Sequence, residues 1–218
     1  MKSSRLAFSS ALGLTAGLMI WSLLQLLRFI AEENPLPGMD SFIYEGALIG
    51  LVLGGLLPVR HALWNHHAPS LILSLFVLGA SLGTVAGILC FGLGQSLMGV
   101  QFSSEWVRLF SFTFLGLCLG GIVLYVRPSS GWPLIRILVG GIGGLATGVF
   151  IELSVMYQLM IPWQLTGLLL GGTIHFLLLG VLENYHVDSY LRVLTGRQEG
   201  QLYLLDQQHH SIGYGKTN

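Results

Sequence analysis

Apolar residues fill most of the first 182 positions of the chain, in six long runs separated by short polar stretches. Each run has about the length of the roughly 20 apolar residues with which an α-helix crosses the hydrocarbon core of a membrane. The runs cover residues 6–30, 42–63, 71–98, 107–126, 134–153 and 163–182. The pattern therefore predicts an all-α membrane protein with six transmembrane helices.

Glycine recurs in these runs in two alternating strings. The odd-numbered runs contain G-x-x-x-G and the even-numbered runs contain G-L-x-L-G-G. In chain order, the strings lie at 13–17, 50–55, 83–87, 116–121, 144–148 and 167–172. A two-helix unit used three times accounts for the alternation. We predict three tandem helical hairpins, at about 6–63, 71–126 and 134–183.

Glycines four residues apart lie on one face of a helix and leave it bare, so that a neighbouring main chain can approach closely. Between helices in lipid the hydrophobic effect contributes little, and such contact is expected to hold the bundle together. The glycines predicted to pack helices are Gly13, Gly17, Gly46, Gly50, Gly54, Gly79, Gly83, Gly87, Gly116, Gly120, Gly140, Gly144, Gly148, Gly167 and Gly171. The pattern leaves open whether they pack one bundle or dock another subunit.

Composition and charge agree with a membrane location. The chain is 53% hydrophobic and 9% charged with a mean hydropathy of +0.73, whereas about 25% of residues are charged in a soluble domain. The basic residues on the side of the N-terminus are Lys2, Arg5, Arg60, Arg127, Arg136, Arg192, Arg197 and Lys216. Arg28 and Arg108 are left near the opposite face. This bias predicts a bacterial inner-membrane protein with both termini in the cytoplasm, and the net charge of zero gives no reason to expect nucleic acid as a partner.

Ionisable side chains within a span are costly and are the candidates for a functional site. Glu45 precedes the glycine stripe of the second run, and an interfacial position is the alternative to a functional one. His175 is the only histidine deep in a predicted span, and a hydrogen bond to a neighbouring helix is the alternative there. Arg136 and Glu152, near the ends of the fifth run, are expected to be interface anchors.

No catalytic, metal or cofactor pattern emerges from the sequence. The two cysteines, Cys90 and Cys118, both fall inside predicted spans and suggest neither a disulfide framework nor a thiolate metal site. His175 has no second histidine in a span with which to hold a haem. We therefore expect a protein that is not an enzyme and that uses no cofactor or metal.

The chain changes character after residue 182, where it becomes polar with short hydrophobic runs. Residues 192–194 and 201–205 are predicted strands. The stretch LRVLTGRQEGQLYLL followed by HHSIGYGKTN, at 191–218, resembles the opening of a forkhead-associated (FHA) domain. The positions that carry the resemblance, or depart from it, are Leu202, Tyr203, Leu204, Ile212, Gly213, Tyr214 and Asn218. Tyr214 stands where the family usually has an arginine that helps to hold the bound peptide.

The resemblance implies the start of a cytoplasmic β-sandwich that binds phosphothreonine peptides, after a linker at 185–190. The remaining motif of the family would lie beyond Asn218, so the chain is expected to end inside that domain. The resemblance covers about 28 residues.

Two functions follow from these patterns. The first is a non-enzymatic anchor or scaffold in the inner membrane, whose partners are the bilayer, other membrane subunits or a second copy, and a cytoplasmic phosphoprotein. The second is a small transporter or channel with glycine-lined helix packing. Transporters built from repeats often place a polar site at the repeat interface, and no polar position recurs among the three predicted hairpins, which favours the first function.

Overall fold

A computed structural model of the protein describes residues 2–33, 41–64, 66–98, 102–126, 133–156, 163–185, 190–192 and 202–204. The described helices are α1 Lys2–Glu33, α2 Ser41–Trp64, α3 Pro69–Met98, α4 Ser104–Val126, α5 Pro133–Met156 and α6 Trp163–Tyr185. Two strands of three residues follow, β1 Tyr190–Arg192 and β2 Leu202–Leu204, and they pair antiparallel with Leu191 opposite Tyr203.

Five helices, α1 to α5, are long and apolar enough to cross a membrane by length and composition. In α6 the apolar stretch is shorter, at Gly167–Leu178. The predicted all-helical membrane region is thus confirmed for five helices, which is the composition of an integral membrane protein. The sixth span stays a prediction.

The prediction of an FHA domain is wrong. Within the part of the chain that the structure describes, β structure amounts to one pair of three-residue strands. A β-sandwich needs two packed sheets, and an isolated pair of strands is marginally stable at best. The motif positions Ile212, Gly213, Tyr214 and Asn218 lie outside the described residues, as does most of the predicted linker.

The six helices close into a ring, because each packs against the next along the chain and α6 packs against α1, and α2 also touches α4. α2 lies deepest, since none of its described large apolar side chains is exposed. The other long helices present apolar faces outward: Leu73 of α3 is 63% exposed and Leu134 of α5 is 72% exposed. In a membrane these faces would contact lipid, which leaves the ring interior as the place where polar groups can be sheltered.

α2 and α3 meet main chain to main chain along a ladder of glycines. The opposed pairs are Gly46 with Gly87, Gly50 with Gly83 and Gly54 with Gly79. A Cβ atom added to either member of a pair would overlap the carbonyl oxygen of the other, so only glycine fits unless a helix moves. Contacts of the Cα–H···O=C type are common where helices approach so closely.

Pro58 of α2 explains why the last pair of this ladder, Gly54 with Gly79, is in close contact. Proline has no amide hydrogen, and within a helix it leaves the carbonyl four residues earlier without its bond. That carbonyl belongs to Gly54 and faces Gly79 of α3. The partner helix therefore covers a polar group that the helix itself cannot satisfy.

Two further ladders have the same spacing of four residues but fewer glycines. In α4 and α5 the opposed pairs are Phe112 with Gly144, Gly116 with Gly140 and Gly120 with Arg136, and in α1 and α6 they are Gly13 with Gly172 and Gly17 with Leu168. Of these pairs, only Gly116 with Gly140 and Gly13 with Gly172 have glycine on both sides. We call α2/α3, α4/α5 and α1/α6 the glycine-locked pairs.

The remaining predicted glycines also face other helices. Gly167 and Gly171 face Ile151 and Thr147 of α5, and Gly148 faces Leu109 of α4. The ladders therefore join helices from different predicted hairpins, whereas Gly167 and Gly171 of the third G-L-x-L-G-G string contact the helix before it. The tandem repeat itself stays a prediction.

Candidate functional site

A partly open cavity of about 420 Å³ lies inside the ring, at the end of the bundle away from the N-terminus, and all six helices contribute to its wall. Four of its lining side chains are polar: Arg28, Glu45, Ser104 and Arg108. The rest of the wall is apolar. This location follows from the chain direction, because the last turns of α1, α3 and α5 and the first turns of α2, α4 and α6 meet at this end.

Two ion pairs lie at the cavity. Arg28 Nη2 is 2.6 Å from Glu45 Oε1, which joins α1 to α2, and Arg108 Nε is 2.6 Å from Glu152 Oε1, which joins α4 to α5. The side chains are half-buried, at 41% and 24% exposure in the first pair and 23% and 17% in the second. Each pair is neutral, which lowers the cost of holding charges within a membrane bundle.

The four charges form one layer. Each of them lies four or five residues, about one helical turn, from the end of its helix. One turn deeper, the wall becomes apolar: Leu24 follows Arg28, Ile49 follows Glu45, and Phe112 follows Arg108. The cavity thus combines a charged upper layer with an apolar floor.

Aromatic rings form much of the cavity wall. The ring centroids of Phe42 and Phe91 are 4.8 Å apart, and those of Phe91 and Phe112 are 5.3 Å apart in an edge-to-face arrangement. Such pairs are favourable beyond the apolar area that they bury. Phe91 and Phe112 join α3 to α4 under the charged layer, whereas Phe42 lies in the first turn of α2, nearer the open end than Glu45.

A second, small cavity of about 10 Å³ continues the axis of the ring toward the N-terminal end. It shares Ile49, Phe112 and Leu168 with the larger cavity and adds Thr147 and His175. Its volume is about the space that one water molecule needs. Apolar side chains therefore separate the charged cavity from the other end of the bundle.

That other end is closed by buried basic side chains. Arg60 is 4% exposed, and its Nη1 donates a hydrogen bond of 2.8 Å to the carbonyl oxygen of Phe176, which joins α2 to α6. His175 is 2% exposed. Its Nδ1 faces Gly143, and its Nε2 has no hydrogen-bond partner among the described residues.

The structure brings together some of the residues that the sequence singled out. Glu45 lines the main cavity, while His175 lines the small one and is not part of the charged layer. Sequence reasoning missed the partners Arg28, Arg108 and Glu152, which it left at the membrane interface. The usable signal was the presence of two arginines on the face of the membrane otherwise populated by acidic residues.

Arg136 and the two cysteines show features that the sequence did not indicate. Arg136, expected as an interface anchor, is 8% exposed and buried. Cys90 of α3 and Cys118 of α4 are free thiols whose sulfur atoms lie 3.9 Å apart, a proximity that their spacing in the chain did not suggest. In the described ranges, no group of three histidine, cysteine or acidic side chains could hold a metal ion.

Comparisons of this chain with known protein families, with curated proteins and with solved structures find no match. A largely apolar wall with a few convergent polar groups between the helices of a bundle is typical of small-molecule binding sites. The charges can bind and orient a polar solute, and the floor can hold an apolar one.

Proposed function

We propose that the protein is a small transporter of the bacterial inner membrane that binds its solute in the central cavity. The cavity supports this proposal: its volume of about 420 Å³ falls within the roughly 300–1,000 Å³ of small-molecule sites. It is open at one end and separated from the other by apolar side chains, as alternating access requires of one state. Binding and release need no bond chemistry, so we keep the expectation that the protein is not an enzyme.

We further propose that α6 is a sixth span and that both termini lie in the cytoplasm. α6 packs against α1 and α5, two helices long enough to cross the membrane. The excess of lysine and arginine on the N-terminal side supports the orientation. In this arrangement the cavity opens toward the periplasm.

The glycine-locked pairs suggest how the ends could open in turn. Main-chain contact leaves no room for helices within a pair to slide, so each pair would move as one body. Two polar links join the pair α1/α6 to the pair α2/α3: Arg28 with Glu45 at the cavity end, and Arg60 with the Phe176 carbonyl at the other end. Rocking these two bodies about the middle of the membrane would break one link while the other holds.

Sided cysteine labelling tests the cavity. In a variant without Cys90 and Cys118, Leu24→Cys would place a thiol in the cavity wall, whereas Leu26→Cys would place one on the outer surface, where Leu26 is 54% exposed. A charged, membrane-impermeant thiosulfonate should react with Leu24→Cys from the cavity side only and not with Leu26→Cys in lipid. The reverse order of reactivity would mean that the cavity is not filled with water.

Movement is tested at the small cavity. Leu53 lines it and is 8% exposed. If the bundle rocks, Leu53→Cys should react slowly with the same reagent added from the cytoplasmic side. Labelling of Leu53→Cys from neither side would favour a static bundle.

A static bundle is the second candidate function, an anchor or scaffold subunit that associates with other membrane subunits or with a second copy. The ladders favour it, because overlap of any added Cβ with a main-chain atom makes each locked pair rigid. The mass of the protein in nanodiscs, measured by native mass spectrometry, would separate a lone chain from an assembly. Labelling of Leu53→Cys from the cytoplasmic side would favour the transporter, and labelling from neither side would favour the scaffold.

A further inference from the structure

We propose that the cavity takes a small zwitterion with an apolar body, of which an apolar α-amino acid is the simplest representative. This inference rests on the proposed solute-binding function and names the substrate class. The observation behind it is that groups of both charges line one cavity: Glu45 on α2 and Arg108 on α4. Each is already engaged in a neutral ion pair.

Charge balance selects the zwitterion. The layer holds two arginines and two glutamates, so its net charge is zero. A solute with a single charge would leave one uncompensated charge in a partly dehydrated site, where such charges are costly. A molecule that carries one ammonium and one carboxylate keeps the site neutral and can exchange one bond of each pair for one of its own.

The geometry assigns the two ends of the solute. The two ion pairs lie on different helices, α1 with α2 and α4 with α5, and α2 and α4 touch each other, so Glu45 and Arg108 reach the same cavity from two neighbouring helices. Arg108 lines the cavity and takes the carboxylate, while Glu45 lines it and takes the ammonium. Each is a charge-assisted hydrogen bond, which is stronger than a bond between neutral groups.

The floor assigns the body of the solute. The rings of Phe91 and Phe112 contact each other under the charged layer, with Leu24 and Ile49 beside them. An aliphatic or aromatic side chain would be removed from water there, and its burial supplies binding energy without further polar partners. A strongly polar body would find no hydrogen-bond partner on this part of the wall.

Four probes that share one phenyl ring test the charge requirement. They are L-phenylalanine (zwitterion), 3-phenylpropionate (anion), phenethylamine (cation) and N-acetylphenylalaninamide (neutral). Binding to the full chain in phosphatidylglycerol nanodiscs would be measured by isothermal titration calorimetry. We expect L-phenylalanine to bind at least about tenfold more tightly than each of the others, since losing one charge-assisted bond is worth about that much.

Variants test the assigned contacts. Glu45→Gln, which keeps the side-chain size, and Arg108→Gln, which shortens the side chain but keeps it polar, should each lower the affinity for L-phenylalanine about tenfold. Glu105→Gln is the matched control, because Glu105 lies in the first turn of α4 and accepts a hydrogen bond of 2.8 Å from Ser103 Oγ outside the cavity wall. Far-UV circular dichroism and thermal unfolding would confirm that each variant is folded.

A lipid headgroup could supply the same zwitterionic chemistry. Nanodiscs of phosphatidylethanolamine distinguish the sources: if they abolish L-phenylalanine binding that phosphatidylglycerol nanodiscs allow, the zwitterionic site is confirmed and its occupant is the lipid. If the anion, the cation or the neutral probe binds as tightly as L-phenylalanine, the inference is overturned and the cavity function stands.

The two failures are separable by labelling. If no probe binds but Leu24→Cys reacts with the impermeant reagent, the zwitterion inference is overturned while the water-filled cavity remains. If Leu24→Cys is also unreactive in a folded protein, the proposed function fails with it. Unchanged L-phenylalanine affinity in both Glu45→Gln and Arg108→Gln would overturn the assignment as well.

Discussion

The two interfaces of α2 differ in kind. Toward α3, α2 presents Gly46, Gly50 and Gly54 in main-chain contact with three glycines of the partner. Toward α1, the ion pair and the aromatic contacts lie at the two ends of the helices: Arg28 with Glu45 at one end, and at the other the rings of Phe8 and Trp64 at 5.4 Å with Arg5 over Trp64. One helix is thus locked on one side and linked by side chains on the other.

The difference shows how a lipid-embedded bundle can combine rigidity with movement. Main-chain contacts cannot rearrange without separating the helices, because a shift by one residue would bring side chains onto the glycine face. Side-chain links can break and re-form by rotamer changes. We therefore expect changes at the ladders to affect assembly, and changes at the side-chain links to affect which end of the bundle is open.

The largest effect is expected at the centre of the α2/α3 ladder. Gly83→Ala would place a Cβ against the carbonyl oxygen of Gly50 and 2.8 Å from the Cα of Gly54, and overpacking of this kind costs about 1–3 kcal/mol or more. Unfolding by titration with sodium dodecyl sulfate in mixed micelles would measure the loss. Gly83→Leu should prevent assembly of the bundle.

Gly92→Ala is the matched control on the same helix. An added Cβ at Gly92 would meet nothing within 4 Å, and alanine is favoured over glycine in a helix by up to about 1 kcal/mol. Stability should be unchanged or slightly higher. Equal losses in Gly83→Ala and Gly92→Ala would show that glycine content, and not the ladder, matters.

The next effect is expected at the link between α2 and α6. Arg60→Met removes the hydrogen bond to the Phe176 carbonyl and leaves that buried acceptor without this donor, at a cost of about 1–3 kcal/mol. In the proposed orientation this link lies at the cytoplasmic end, so labelling of Leu53→Cys from that side should become faster. Arg5→Met, which removes a side chain over Trp64 at the same end of the bundle, should leave that labelling rate unchanged.

Faster labelling in both arginine variants would mean a general loosening of the bundle. Unchanged labelling in Arg60→Met would separate the link from any gate. Either result would mean that the side-chain links contribute to stability but do not control which end of the bundle is open.

How much the sequence could predict differs between these two kinds of interface. The helices and their glycine stripes follow from local spacing, which is why the predicted runs match α1 to α5 closely. The choice of partner helix does not follow from local spacing, because a bare face on α2 fits a bare face on any antiparallel neighbour. The structure pairs it with α3, outside the predicted hairpin.

The charged site was only half predictable for a similar reason. Glu45 stood out as an acidic residue within a span, but its place in the charged layer depends on Arg28, which a different helix brings to 2.6 Å. Spacing along one helix contains no information on such contacts between helices. The FHA prediction failed because a few residue matches in a polar tail do not determine a fold. The described residues there form one pair of short strands, which is too few for a β-sandwich.

The two ion pairs are expected to differ in coupling energy, because they differ in burial. Arg28 is 41% exposed, so solvent and salt should screen its pair, whereas the Arg108–Glu152 pair is more buried at 23% and 17%. Double-mutant cycles with glutamine should give a coupling of about 0.2–1 kcal/mol for the first pair and about 1–3 kcal/mol for the second. A larger coupling in the first pair would contradict the depth assigned to them.

The smallest effect is expected at α3 and α4, which belong to different glycine-locked pairs. Cys90 and Cys118 sulfurs lie 3.9 Å apart and must approach to about 2.05 Å to form a disulfide, so the reaction reports relative movement of the two bodies. Copper phenanthroline would accept the two electrons as the thiols lose two protons, and mass spectrometry would follow the loss of two hydrogens, with Cys118→Ser as control. A solute that bridges Glu45 and Arg108 holds α2 and α4 together and should slow this reaction. A rate that is the same with and without L-phenylalanine would indicate that α3 and α4 do not move with the state of the cavity.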